Sequence, residues 1–508
     1  MRTLSFKNLR PIDKAPPLSC GKLHQIAPSC AESTEGGAPK SHPRPRFHYK
    51  FLLPVRPMNK IRPMPRAANS KLKTRNSKLV ELLLAWFAIN ARDMPWRRTS
   101  DPYAIWVSEI MLQQTQVKTV IPYWNRWMRE LPTIESLAKA QPEKIHKLWE
   151  GLGYYTRVRN MQKAAQEIVA KSRSRREESL IDSKQSCSSG RESAPFNSGE
   201  MSEPTHVACY DSEIQSRDDR CEFPKTFDEV LALPGIGRYT AGAICSIAYN
   251  QPTPILDGNV IRVLTRVFGI SQNPRDKEAN ARLWNLAQEL VSHAKNAKDA
   301  QKTIPLRTSR PLREPNSCSA LNQSLMELGA LICTPREPKC LVCPIAKQCF
   351  AYQKNRVSEF PNLEKRPTAT ARRFAAFVVE NGGKFLVRQR PEGVVNAHLW
   401  EFPNVELNGK PLNASATVEA LFGFAPNNVK SLCTIKHSIT RYRITLEAFH
   451  IGAPSTFKVG QSCRSAPSRR HASSARDECL WLTLAELQKL SFPSAHGKIL
   501  NALRTTLA

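Results

Sequence analysis

The run Leu233-Pro234-Gly235-Ile236-Gly237-Arg238-Tyr239-Thr240-Ala241-Gly242, followed by Ile255-Leu256-Asp257-Gly258-Asn259-Val260, decides the fold. Two glycines stand just before a segment with helical character. A helix N-terminus presents N–H groups without partners and the positive end of a dipole. Glycine lets a phosphate come close to those groups. Taken alone, Gly235 and Gly237 are equally well explained by a tight turn between two packed helices. Asp257 also precedes a helix start, where capping is the default role of a lone aspartate. From these residues alone both readings stay open.

Working outward, helical patterning begins near Ser77, with Leu79, Leu82, Leu83, Trp86 and Phe87 at helical spacing. Further helices are expected over 105–116, 119–129, 134–139, 142–150, 157–171, 226–232, 238–249, 258–267 and 322–332. Two segments interrupt this nearly all-helical block. Residues 172–222 are Ser-rich and charged, and residues 295–318 are basic and contain proline. Neither supplies much core, so both read as surface insertions, with Cys187, Cys209, Cys221 and Cys318 as bystanders. Residues 1–70 are rich in Pro, Lys and Arg and are expected to be disordered. A mitochondrial targeting segment, a basic tail, and sequence upstream of a start at Met58 or Met64 are three open readings of them. The helical region is thus expected over 71–353 and a linker over 354–371. An α+β region then occupies 372–508. Its strands are expected at 374–380, 384–390 and 442–450, with Asn381-Gly382-Gly383 as a hairpin turn. A third insertion is expected at 453–477 and a closing helix near 484–490.

The formal net charge is +31, which favours a polyanionic partner, most commonly nucleic acid. Residues 1–78 account for +14 of it, so the folded part is basic as well. No stretch approaches the roughly eighteen apolar residues of a membrane span. Four of the fourteen cysteines, Cys333, Cys340, Cys343 and Cys349, follow the spacing C-x6-C-x2-C-x5-C. Such a group in a long chain reads as a metal site in a reducing compartment. Iron–sulfur clusters take four thiolates. Zinc does too, but its ribbons usually pair two C-x2-C knuckles, so the spacing favours iron–sulfur. Arg336, Lys339 and Lys347 make the loop around the cysteines basic.

Glu109 lies in Trp106-Val107-Ser108-Glu109-Ile110-Met111-Leu112-Gln113-Gln114-Thr115-Gln116-Val117, among apolar neighbours. If buried, its carboxyl is expensive to ionise and becomes a general acid at neutral pH. If exposed, it is an ordinary helix glutamate, the commoner fate. Periodicity does not choose between the two.

That run, together with Leu148-Trp-Glu-Gly-Leu-Gly-Tyr-Tyr-Thr-Arg157, Leu256-Asp-Gly-Asn-Val260 and Asn322-Gln-Ser-Leu-Met-Glu-Leu-Gly-Ala330, resembles the MutY family of adenine DNA glycosylases nearly letter for letter. The glycine turn and Asp257 match the helix–hairpin–helix plus aspartate pattern of the wider endonuclease III superfamily, and the cysteine spacing matches its cluster motif. The resemblance covers roughly residues 75–171, 223–294 and 319–353, and more weakly 373–452 and 478–505. It implies a mostly α helix–hairpin–helix glycosylase fold with a cluster loop, followed by an α+β Nudix-like domain. It implies a [4Fe-4S] cluster on Cys333, Cys340, Cys343 and Cys349. Glu109 would protonate adenine, and Asp257 would stabilise the sugar cation or a covalent sugar intermediate, a two-carboxylate logic also used by sugar hydrolases. Tyr239 and Asn259 would support that intermediate. Trp96, Arg97, Leu112, Gln323 and Glu327 would line the adenine pocket, and Gly235 and Gly237 would form the DNA-binding hairpin. Gln114 and Tyr154 would enter the base stack while adenine is flipped out. On physical grounds alone Tyr154 is as well explained as a core tyrosine.

The implied partner is double-stranded DNA carrying adenine opposite 8-oxoguanine or guanine. The implied protein is a monomer without membrane attachment, in the cytoplasm or nucleoid of a bacterium, or the nucleus or mitochondrion of a eukaryote. Endonuclease III enzymes place a nucleophilic lysine two residues after the second hairpin glycine; Tyr239 stands there, and a phenol forms no Schiff base. A monofunctional glycosylase is therefore favoured over the glycosylase/lyase alternative. A catalytically inactive DNA-binding relative is the other rival reading. The C-terminal match rests on Phe377-Val-Val, Phe385-Leu-Val-Arg-Gln-Arg390 and His398-Leu-Trp-Glu-Phe-Pro403. The acidic metal-binding box of a Nudix hydrolase is missing, so nucleotide hydrolysis is not expected. In the family this domain reads the oxidised guanine through a Phe-Ser-His run, and Ile439-Thr440-Arg441 stands in its place.

Overall fold

The computed structural model describes residues 66–188, 221–296, 317–364, 368–409, 411–426, 428–439, 441–454 and 479–507. The helical region opens with α1 (Arg66–Asn90), α2 (Pro102–Leu112), α3 (Val117–Glu130), α4 (Ile134–Lys139), α5 (Pro142–Trp149) and α6 (Thr156–Ser188). It continues with α7 (Phe227–Leu231), α8 (Arg238–Tyr249), α9 (Gly258–Phe268), α10 (Lys277–Asn296), α11 (Ser317–Leu331) and α12 (Phe350–Gln353). Local chemistry marks several of the starts. Asp101 caps α2 by accepting from Tyr103 N and Ala104 N, with Pro102 at the first helical position. Thr133 and Thr226 form capping boxes at α4 and α7.

These helices build two cores. Trp106, Trp127, Trp149, Val158 and Ile244 centre the first, contributed by α2 to α8. Leu83, Val263, Leu283, Leu290 and Leu325 centre the second, contributed by α1, α9, α10 and α11. Helix α11 packs on α8 as well as on α9 and α1, so it lies along the seam between the cores. The cysteines follow α11, in short turns that include Cys340–Val342 and Ala346–Gln348.

The C-terminal region is a seven-stranded sheet: β1 (Thr370–Asn381), β2 (Lys384–Gln389), β3 (Trp400–Glu401), β4 (Asn404–Glu406), β5 (Val429–Ile439), β6 (Tyr442–Gly452) and β7 (Cys479–Thr483). The strand order is β3-β2-β1-β6-β5, with β4 on β1 and β7 on β2. Strands β1 and β6 run parallel and every other pair is antiparallel. Helix α13 (Ala414–Phe422) covers one face, packing Val418 and Phe422 with Phe377 and Val379. Helices α14 (Leu484–Leu487) and α15 (Ser494–Leu507) cover the other, packing Leu487, Ile499 and Leu503 with Ala376 and Val378. Strand β1 is thus buried on both faces, which is why its sequence reads as a continuous apolar run. Gly382 and Gly383 both have positive φ, +56° and +75°, as a two-residue hairpin turn between β1 and β2 requires. No helix among the described residues is long and apolar enough to cross a membrane.

Several sequence expectations need correction. Helix α1 starts at Arg66, inside the stretch expected to be disordered; residues 1–65 lie outside the described residues. Helix α6 runs on to Ser188, beyond the boundary placed at 171. Residues 277–296, unassigned from sequence, form α10, with Ala279, Leu283, Ala287, Leu290 and Ala294 buried along one face. Cys318, expected in a surface insertion, is instead buried in the second core, its thiol near Val291 O, and it is not among the residues lining the cysteine cavity. Cys221 N donates to Glu135 Oε1 at 2.5 Å, so the first insertion ends before that residue. Residues 189–220, 297–316 and 455–478 lie outside the described residues, and with them Cys209 and most of the expected insertions. The stretch expected to be a linker is anchored at its start, because Phe360 is buried and its carbonyl accepts from Arg266 Nε. Strands β5 and β7 and helices α13 and α15 were not expected.

Candidate active site

Helix α2 is apolar nearly all round and every residue from Tyr103 to Met111 is buried. Glu109 goes into the interior with it, only 5% exposed, which resolves the choice left open by the sequence. Tyr239, on the first turn of α8, donates its phenol to Glu109 Oε2 at 2.8 Å. Burial lifts the Glu109 carboxyl to about 7; the Tyr239 hydroxyl opposes this, the charge of Asp257 adds to it, and that of Arg97 subtracts. Tyr239 is itself held well above its usual range by burial and by the charges of Glu109 and Asp257. The result is a buried acid that holds its proton near neutrality.

Asp257 is the N-cap of α9 and accepts from Val260 N at 2.7 Å through Oδ1. Its other oxygen accepts from Asn259 Nδ2 at 2.9 Å. Capping therefore does not compete with a catalytic role; it fixes the direction of the carboxylate. Arg262 Nη2 donates to Asn259 Oδ1 at 2.8 Å, which turns the amide NH2 toward Asp257. The same Arg262 donates to Gly329 O at 2.7 Å and, through Nε, to Cys333 O at 2.7 Å. One buried side chain thus links the Asp257 cap, α11 and the cysteine loop. Gly329 permits this approach, since a Cβ there would lie 2.7 Å from Asn259 Cβ.

Helix α11 sets Gln323 and Glu327 against Arg97, whose charge acts on Glu109. Glu327 is buried, and both its oxygens are occupied: Arg92 donates from N, Nε and Nη2 at 3.0, 2.7 and 2.9 Å, and Arg97 from Nη2 at 3.1 Å. Burial alone would raise its pKa; the hydrogen bonds from Arg92 and the charge of Arg97 prevail and hold it at about 2. Arg97 Nε donates to Gln323 Oε1 at 2.9 Å. Glu327 is thus a fixed negative charge under two arginines. Trp96 is buried edge-on to Trp124, and Leu112 packs at the margin of the same core.

Gln114 and Tyr154 lie on two separate turns, and both have left-handed backbone, with φ of +59° and +51°. Gln114 is exposed and Tyr154 is 45% exposed, so Tyr154 is not a core residue. Arg157 joins the turns: Nη1 donates to Ile110 O and Gln113 O at 2.8 Å, and Nη2 to Leu152 O and Gly153 O at 3.3 and 3.2 Å. Its guanidinium also lies over the Tyr154 ring, 5.3 Å from the centroid. Left-handed backbone in two non-glycine residues costs energy and clusters at functional sites.

Between α7 and α8, Gly235 has φ +77°, and a Cβ there would meet Asn160 Cβ at 2.6 Å. Gly237 is different: it is the N-cap of α8, and no atom lies within 4 Å of where its Cβ would be. Gly235 is needed for the fold. Gly237 leaves the start of α8 open, as approach of a phosphate to its N–H groups requires.

Cys333, Cys340, Cys343 and Cys349 line one cavity, walled by Val263, Val267, Leu328, Ile332 and Ile345. Arg266 Nη1 donates to Cys333 Sγ at 3.3 Å and to Thr334 O at 2.8 Å. In the C-terminal region, Arg441 is exposed at the β5–β6 turn, where Nη2 donates to the Tyr442 hydroxyl at 3.0 Å. Thr440 lies outside the described residues. Sequence reading missed Arg92, Arg157, Arg262, Arg266 and Gly329; the available signal was that Arg157 and Gly329 sit inside the motif runs.

A model of the HhH-GPD superfamily base excision DNA repair protein matches residues 107–289, and a NUDIX domain model matches residues 375–502. The adenine DNA glycosylase of Rattus norvegicus is 32% identical over 474 residues, covering 82% of this chain and 76% of that protein. Those of Mus musculus and Arabidopsis thaliana are each 34% identical, over 377 and 366 residues and 64% of this chain. The chain spans 60% and 47% of the length of these two relatives. Among solved structures, a thermostable thymine-DNA glycosylase is 24% identical with a TM-score of 0.39, covering 56% of this chain and 99% of its own. With both domain models matched in order and a rat relative covered over three quarters of its length, the chain belongs to the adenine DNA glycosylase family.

Proposed function

We propose that this protein hydrolyses the N-glycosidic bond of adenine mispaired with 8-oxoguanine or guanine in duplex DNA, without cutting the strand. The observation that carries the reading is the pair of carboxyls with opposite environments: Glu109 buried, raised to about 7 and hydrogen-bonded by Tyr239, and Asp257 half-buried and held by two donors. Once adenine is out of the stack, Glu109 donates its proton to a ring nitrogen. The C–N bond breaks with its electron pair leaving on the base, and positive charge develops on the sugar. Asp257, its direction fixed by Asn259 and the α9 cap, faces that charge as an anion. Water then adds to the sugar carbon, and the proton it gives up returns to the Glu109 carboxylate, leaving free adenine and an abasic site. At the position where the endonuclease III resemblance places the lyase lysine, this chain has Tyr239, whose phenol donates to Glu109 and forms no Schiff base.

The cysteine cavity fits a [4Fe-4S] cluster. The four cysteines line one apolar space, and Arg266 offers a donor to Cys333 Sγ. Such a cluster, when bound, would cross-link the Cys333–Cys349 loop and supply none of the glycosidic chemistry. Arg262 then ties the loop to Asn259. The C-terminal domain would read the base opposite adenine, and the protein would act as a monomer in a DNA-containing compartment.

The test is single-turnover cleavage of duplexes carrying adenine opposite 8-oxoguanine, guanine or cytosine. Expected are adenine release fastest opposite 8-oxoguanine, an abasic strand that breaks only in added alkali, and no adduct with borohydride. Release of a pyrimidine instead, or a trapped adduct in good yield, refutes the reading.

A further inference from the structure

The turn that presents Tyr154 runs from Glu150 to Tyr155, between α5 and α6. Its upstream end is gripped by the C-terminal domain. Glu150 Oε1 accepts from Phe492 N at 3.2 Å, and Glu150 Oε2 pairs with Lys147 Nζ at 2.7 Å. Lys147 Nζ in turn donates to Leu490 O at 3.0 Å. Just beyond the turn, Arg159 Nη1 donates to Ala397 O at 3.0 Å. The two C-terminal segments making these contacts are joined to each other, since Trp400 N donates to Ser491 O at 3.0 Å. Between them Leu399 is fully buried as part of the first helical core.

The turn itself has little slack. Gly151 has φ +104°, and a Cβ there would lie 2.2 Å from the Tyr123 hydroxyl, which donates to Glu150 O at 2.9 Å. Arg157 then fastens Leu152 and Gly153 to Gln113, next to Gln114. A displacement of the Leu490–Phe492 segment therefore passes into the Glu150–Tyr154 turn, and through Arg157 to the end of α2.

We propose that Glu150 and Lys147 are positioning residues through which the seat of the C-terminal domain sets the pose of Tyr154, coupling the reading of the opposite base to extrusion of adenine. This rests on the activity proposed above. Both side chains hold backbone groups of the C-terminal domain, so the grip follows the path of that segment rather than its side chains. Neither residue touches Glu109 or Asp257, so their effect falls on extrusion and not on bond breaking.

The experiment uses the full chain and duplexes with 2-aminopurine beside the target adenine, opposite 8-oxoguanine or guanine. Extrusion is followed by stopped-flow fluorescence, with single-turnover release and melting temperature measured on the same samples. Glu150→Ala and Lys147→Ala should slow extrusion opposite 8-oxoguanine by roughly tenfold, the weight of one charge-assisted hydrogen bond. Lys147→Arg, which keeps the ion pair and a donor, should restore it to within about threefold. Melting temperatures should fall by no more than about 2–4 °C, as the loss of one such bond implies. Extrusion at the wild-type rate in both alanine variants overturns the proposal. So does a loss matched by a larger fall in melting temperature that Lys147→Arg fails to relieve. Fluorescence reports extrusion whether or not the bond breaks, so a wild type that extrudes adenine without releasing it refutes the proposed chemistry while the variants still decide the coupling.

Discussion

Replacing Tyr239 with phenylalanine isolates the group that tunes the acid. The Tyr239 phenol donates to Glu109 Oε2 at 2.8 Å and so favours the carboxylate, against the burial that lifts Glu109 to about 7. A hydrogen bond to a charged group nets about 1.5–3 kcal/mol. At about 1.4 kcal/mol per unit, its loss raises the Glu109 pKa by roughly one to two units. Water entering the vacated space would recover part of this and put the shift nearer one. The sign follows from the acid's role: Glu109 acts when protonated, so activity falls as pH rises through its pKa. In the wild type the alkaline limb of the single-turnover profile should lie at about 7. In Tyr239→Phe it should move to roughly 8–9. The plateau falls as well if the phenol also faces the sugar cation, so the position of the limb is diagnostic and its height is not. The assay is adenine release from the 8-oxoguanine duplex across this range, with binding saturated. A limb that stays in place or moves to lower pH refutes the tuning.

Glu109→Gln should abolish adenine release and leave duplex binding intact. Because the folded pKa is raised from 4.5 to about 7, the wild type loses stability as pH rises through that window, by about 3 kcal/mol when fully charged. The variant should therefore melt with the wild type near pH 5 and above it near pH 8; a lower melting temperature near pH 8 would count against the buried acid. Gly329→Ala puts a Cβ 2.7 Å from Asn259 Cβ. It should cost about 1–3 kcal/mol by denaturant titration. It should also slow release at saturating duplex, and unchanged rate and stability would show that α9 and α11 have room to part. Arg441→His should lessen the dependence of duplex binding on salt by about one unit of log–log slope if the exposed guanidinium meets a phosphate. Equal slopes would remove that contact.

How much of this was legible depended on what kind of partner each residue has. The four cysteines were legible from their spacing, whereas Asp257 was open between cap and catalyst until the family resemblance assigned it a role. Glu109 was assigned its role by the family resemblance; its burial was not legible from the residues, because helix α2 buries all its sides and so shows no periodic face. Strand β5 was missed because it lies at the sheet edge and alternates half-buried with exposed residues, diluting the apolar signal. Helix α10 was missed although its buried positions repeat at helical spacing; alanines fill several of them, and alanine is a weak marker of a buried face.

The arginines are the harder case, and they change the meaning of the net charge. Read as a sum, +31 suggests a surface for polyanions. Yet Arg262 and Arg266 are 9% and 3% exposed, and their guanidiniums hold Gly329 O, Cys333 O, Thr334 O and Phe360 O. Arg157 holds four carbonyls, and Arg92 and Arg97 hold Glu327. Backbone carbonyls are identical at every position, so nothing in a sequence marks which arginine will find them. These side chains are struts: five donors in a rigid fork tie turns and helix ends to one another. Part of what looks like affinity for DNA is therefore internal scaffolding. On the proposed activity, the charge that would meet a DNA backbone has to be sought at the open start of α8, beside the cysteine turns and at Arg441.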